Sequence, residues 1–295
     1  MSARSLFTIG LLFTAAVLAA PASAQTFYMK DGREVTAKSL RRQGDTIMAT
    51  VQLAPAQDGQ QAQTGELGYP IAQISKIDFP DPPQLAAATD LIIRGKISEA
   101  FLQLDPVIHY YEGFRDAPGS WWMDAAVLKV LAQLADGRDK DASALIDSIS
   151  RTATEPDAVA YAKALAALNV ARHGDPAIAM EMCKPVIKDG VRPEALAVAY
   201  LAEGESHLAR KEWEQALMDF LKIPVFYPDE KLFLPQSMIG SCRAYTGLQD
   251  FARAKTTLTD LTTTYAGSRE AQQAKVELEK VEKAERLAAL QKAPN

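Results

Sequence analysis

Cysteine is nearly absent. Cys183 and Cys242 are the only two in 295 residues, so no disulfide framework organises this chain. Histidine is as scarce: His109, His173 and His207 stand apart, and none shares a short motif with a second His or with a Cys. A zinc site therefore lacks its ligand spacing. There is no glycine-rich phosphate loop, no Gly-x-Ser-x-Gly elbow and no His-Glu-x-x-His. The acids Asp136, Asp139 and Asp141 crowd one turn, where carboxylates ordinarily cap and solvate helix starts. Catalysis, a metal and a cofactor are not expected. Basic excess is missing too, with 32 Lys and Arg against 37 Asp and Glu. That balance argues against nucleic acid as a partner and against a surface held to anionic lipid by charge.

Long apolar runs are confined to the start. Arg4 is followed by the uncharged run Leu6 to Ala20, then by Pro21-Ala22-Ser23-Ala24. A charged start, an apolar centre too short for a comfortable span and small residues before Gln25 read as a signal peptide over residues 1–24. The expected compartment is the bacterial periplasm. No stable membrane span is expected after cleavage.

Residues 25–80 carry strand signals. Asp31-Gly32 and Gly44-Asp45 are turn pairs. Between Thr46 and Leu53 the chain alternates, with Ile47, Ala49, Val51 and Leu53 on one face. A polar loop is expected from Ala54 to Thr64. Such short strands predict a small curled sheet or barrel. The Lys-Asp-Gly-Arg turn, the Gly-Asp turn and the spaced Ile71, Ile74 and Ile77 resemble small SH3- or Sm-like barrel modules. Pro80, Pro82 and Pro83 then mark a boundary.

From Gln84 the composition shifts to good helix formers, and a repeat emerges. Ala100, Ala142, Ala179, Ala216 and Ala254 recur in one context. Gly95, Gly137 and Gly174 stand five residues before the first three, and Lys211 and Gln249 hold the matching places later. Each unit reads as helix, tight turn, helix: the glycine frees the turn and the alanine lets the helices cross closely. Gly204, Ala216, Phe220 and Pro228 in the fourth unit fall at the offsets of the tetratricopeptide signature. The chain thus resembles tetratricopeptide-repeat proteins, most clearly over 191–268. Phe226-Tyr227-Pro228-Asp229 and Thr264-Tyr265 are similar to helix exits in periplasmic members that serve envelope assembly and cell-division accessory complexes. The fold class implied is mainly α: a tetratricopeptide-like solenoid of about five hairpins over 84–268, preceded by a small all-β domain. Residues 269–295 are expected to form a capping helix, with Ser268 as its cap.

The resemblance implies partner binding on the concave face lined by the first helix of each unit. Its register assigns Val127, Leu131, Tyr161, Arg172, Leu201, Glu205, Gln236 and Arg243 as contacts. Trp121 and Trp122 lie about 100° apart on a helix, so one ring is expected in the core and the other free, with Trp122 taken as an anchor. The function expected is a non-catalytic scaffold that binds another envelope protein or an extended peptide. Two alternatives stand beside it: self-assembly as a structural envelope protein, and carbohydrate binding at the junction of barrel and solenoid. Cys183 and Cys242 fall a whole unit apart, which predicts two buried thiols and no bridge.

Overall fold

The structure is a computed structural model and describes residues 25–54, 63–190 and 192–292. The segment read as a signal peptide and most of the polar loop lie outside the described residues. The chain divides into two compact units, at Asp78 and Phe79.

In the first unit the turn pairs and the alternation place five strands: β1 (Gln25–Met29), β2 (Glu34–Gln43), β3 (Thr46–Ala54), β4 (Gln63–Pro70) and β5 (Ile74–Asp78). They form one antiparallel sheet in the order β4-β3-β2-β1-β5. Gly32 and Gly44 adopt positive φ of 88° and 58° at the two hairpin turns, a conformation glycine reaches without a Cβ penalty. The edges β4 and β5 are joined only by a 3-10 turn over Ile71–Gln73, a reach of about 10 Å. The sheet must therefore curl. Phe27 on β1 meets Tyr69 on β4 edge to face at 4.8 Å, across two intervening strands. The curl encloses Phe27, Met29, Ala37, Ile47, Ala49, Val51, Ile74 and Ile77. Leu53 departs from the expected face. The β3–β4 register shifts between Gln52 and Ala54, and Leu53 lies exposed over Gly65.

The second unit is helical: α1 (Pro83–Ile93), α2 (Ile97–Tyr111), α3 (Trp122–Ala135), α4 (Asp139–Thr152), α5 (Pro156–His173), α6 (Pro176–Asp189), α7 (Pro193–Ala209), α8 (Trp213–Phe226), α9 (Leu234–Gly247), α10 (Phe251–Thr264) and α11 (Arg269–Lys292). The repeated alanines occupy one place. Each is the fourth residue of α2, α4, α6, α8 or α10, and each is fully buried. One turn later stand Leu104, Ile146, Cys183, Phe220 and Leu258, all buried. Phe220 shows why the neighbouring inner positions are glycine. A Cβ on Gly204 or on Gly240 would come within 2.7 and 2.4 Å of its ring.

The turns between paired helices also repeat. Lys96, Arg138, Glu212 and Asp250 each donate a backbone N–H to the carbonyl five residues earlier, at 2.8–2.9 Å, the closing bond of a Schellman turn. That turn needs a left-handed residue. Gly95, Gly137, Lys211 and Gln249 supply it with φ between 60° and 72°. Gly174 does not: its φ is −124°, and α6 is started instead by Asp175, whose side chain accepts the Ala177 N–H at 2.8 Å, ahead of Pro176.

Successive helices pack as hairpins, and α1, α3, α5, α7, α9 and α11 also pack each on the next inner helix. Among the inner helices α7 is enclosed on most sides; it buries Ala195, Ala197, Val198, Ala199, Leu201, Ala202 and Gly204. Ser268 caps α11 by accepting the Ala271 N–H at 3.0 Å. Along α11, Ala274 and Val281 are buried against α9 and α10.

Candidate functional site

The inner wall also touches itself across the stack. Arg269 at the start of α11 donates from Nη1 to the Ala135 carbonyl at the end of α3, at 2.7 Å. Gln272 reaches the Arg94 carbonyl in the α1–α2 turn at 3.4 Å. Leu232, between α8 and α9, packs on the cluster of Ile92, Ile97, Ala100 and Ala132. At its other end Arg192, before α7, approaches Asp124 on α3 at 3.4 Å. These contacts draw the helical unit together on its inner side, beside a cleft of about 570 Å³.

Four of the nine residues expected to touch a partner line this cleft: Arg172 from α5, Glu205 from α7, and Gln236 and Arg243 from α9. The other five are packed away. Trp122, Val127, Leu131, Tyr161 and Leu201 are 2%, 4%, 6%, 7% and 0% exposed. They hold the inner helices against their neighbours and are not available as contacts. Trp122 is the core member of its pair, its indole N–H donating to Glu112 at 2.9 Å. Trp121 is half-buried, with its N–H directed at the Phe79 carbonyl at 3.5 Å. Tyr161 lies beneath the Arg192 guanidinium, 5.6 Å from its ring centre. Burial and the nearby Glu194 push its phenol far above the ordinary range.

Charges in the cleft are mostly matched. Arg269 pairs with Glu270 at 2.7 Å, and His173 stands 3.0 Å from Asp139. Arg243 pairs at 2.9 Å with Glu277, which Lys280 also meets at 2.8 Å. Hydrogen bonds from both cations hold the Glu277 carboxyl below its usual range against the opposing effect of burial. Arg172 and Glu205 are the exceptions, and the buried Asp139 Oδ1 has no hydrogen-bond partner among the described residues despite the His173 ring beside it. Arg172 donates to the Gln236 side-chain oxygen at 3.0 Å, and that amide is itself oriented by donating to the Leu232 carbonyl at 3.1 Å. Among the described residues neither Arg172 nor Glu205 has an ion-pair partner within 4.0 Å. Burial pulls the Arg172 guanidinium below its ordinary value, with Arg269 and Arg243 adding to the effect while Glu205 and Glu270 oppose it.

Sequence reading missed part of this site. Arg269, Glu270 and Gln273 on α11 line the cleft beside Asp139 and His173. Glu277, among the alternating acids and bases of α11, is buried. The available signal was Glu277 itself: it falls four residues before Val281 and three after Ala274, both buried, and so on the packed side of the helix.

Both thiols are free and buried. Burial raises Cys183 to about 12 and Cys242 to about 11. Among the described residues no group of three or more His, Cys, Asp or Glu side chains is placed to hold a metal ion, and no helix is long and apolar enough to cross a membrane. No known protein family's sequence pattern matches the chain, and no curated protein matches it.

Proposed function

We propose that this chain is an exported, non-catalytic binding protein of the bacterial envelope that takes a short segment of a partner protein or peptide into the inner cleft of a tetratricopeptide-like stack. One observation carries the reading. Arg172, Glu205, Gln236 and Arg243, assigned from three separate units of the repeat, converge on one cleft, and Arg172 and Glu205 face it without ion-pair partners. Unpaired charges at a concave surface are costly unless a ligand completes them. Support for the repeat family comes from the matching places of the five alanines and from Phe220 packed on Gly204 and Gly240. The five-stranded curled sheet agrees with an SH3- or Sm-like module. Residues 1–24 support export through their composition alone.

The closed inner wall refines the occupant. A long peptide laid along an open groove needs the whole concave face, and Leu232, Arg269 and Gln272 already occupy part of it. A short segment fits what is left. Site-specific photo-crosslinking tests this: a crosslinking amino acid is placed at Gln273 on the cleft, or at Met218, exposed on α8. In envelope extract the 273 position should give a discrete adduct that Arg172→Gln abolishes, while 218 gives none. Adducts from 218 alone would move binding to the outer face and remove the cleft from the argument.

A further inference from the structure

We infer that the cleft recognises a small zwitterionic group, a ligand that presents a carboxylate and an ammonium together, as the free ends of a short peptide do. The inference deepens the proposed function and rests on its choice of cleft.

Three arginines (Arg172, Arg243, Arg269) and three carboxylates (Asp139, Glu205, Glu270) line the cleft. The lining carries arginines and carboxylates in equal number, so it is built for neither a simple anion nor a simple cation. The balance is not internal pairing throughout. Arg269–Glu270 and Arg243–Glu277 are ion pairs at 2.7 and 2.9 Å, and Asp139 lies 3.0 Å from the His173 ring. Arg172 and Glu205, on adjacent inner helices, have no ion-pair partner within 4.0 Å among the described residues, although Glu205 is the foremost opposing charge felt by Arg172. An anion alone would satisfy Arg172 and leave Glu205 without a partner; a cation alone would do the reverse. Only a ligand of both signs satisfies both, and each hydrogen bond it makes there is charge-assisted.

The site is also prepared for that ligand. The guanidinium is held by Gln236, whose own amide is fixed by the Leu232 carbonyl, so little side-chain freedom is lost on binding. A volume of about 570 Å³ lies within the range of pockets that enclose small ligands. Leu134, Leu208 and Ile239 supply apolar wall between the polar groups.

Isothermal titration of the purified chain tests the inference, with glycine, diglycine and triglycine as probes, because the series varies the separation of the two charges. One member should bind measurably. Acetylating its amine or amidating its carboxyl should each weaken binding by about tenfold or more, since either change removes one charged partner. Arg172→Gln should erase the effect of amidation, and Glu205→Gln that of acetylation, with unchanged thermal midpoints showing that both variants fold. Equal binding of the blocked and free forms, or no binding by any probe, overturns the inference. An adduct at 273 in the crosslinking experiment alongside failed titration would leave the cleft as a binding site and remove only its ligand class.

Discussion

Glu230 lies in the connection ahead of α9, close to Glu194 and Asp229, and half-buried. Burial first, then those two carboxylates, raise it from 4.5 to about 7, against the opposing charge of Arg192. The unfolded chain releases this proton near 4.5, and the folded chain holds it to about 7. The folded state therefore binds more protons in that window, and stability falls as pH rises through it. Asp124 is raised by burial and acts in the same direction. Glu230→Gln should flatten the decline in thermal midpoint between pH 5 and 8 and raise stability above pH 7 by on the order of 1 kcal/mol once solvent screening is allowed for. Thermal melts of both proteins across that range check it, and an unchanged slope would mean that Glu230 ionises freely. This group was invisible in the sequence. Glu194, Asp229 and Arg192 come together only through the packing of α7 against the start of α9, and no local spacing announces that.

At the scale of the element, the repeat was legible because its signals are local. An alanine at the fourth position of each second helix, a large side chain one turn later and a left-handed residue before the helix can all be read along a single stretch of chain. Lys211 and Gln249 extend the rule to residues with a Cβ, at φ of 62° and 60°, where the Schellman bonds from Glu212 and Asp250 hold them against an unfavourable backbone. Gly174 breaks the rule because Asp175 and Pro176 start α6 by another route. The alanine carries the closest approach. Ala216 is fully buried, on the helix whose Phe220 already fills the space left by Gly204 and Gly240. Ala216→Leu should overpack the crossing and cost about 1–3 kcal/mol, read as a shift of the denaturant midpoint with an unchanged slope. A neutral substitution would place Ala216 away from the helix crossing.

For the whole helical unit, what decides access to the inner face is closure, and closure is long-range. The register taken from the repeat family identified the inner helices but treated their concave side as open. Here Arg192 from before α7 and Arg269 from the start of α11 meet α3, and Leu232 from between α8 and α9 packs on the cluster that includes Ala132; Val127 and Leu131 are core, while Arg172 and Arg243 face the cleft. Contacts between residues as far apart as Asp124 and Arg192 (68 positions) or Ala135 and Arg269 (134 positions) leave no periodic trace in the chain. Arg269 is the most exacting of these ties. Its guanidinium bonds the Ala135 carbonyl at 2.7 Å and pairs with the buried Glu270, while its Cβ lies 3.1 Å from where a Cβ on Gly95 would stand. Arg269→Ala removes the tie and leaves a buried carboxylate without its cation, a loss of about 1–3 kcal/mol. The effect should be regional. Amide exchange ought to quicken at the end of α3 and the α1–α2 turn, which lose their contact with α11, and stay unchanged in α8, which contributes no residue to the cleft. Uniform quickening would show general destabilisation, and no change at the end of α3 would show that the wall is held closed by Leu232 and Arg192 without it.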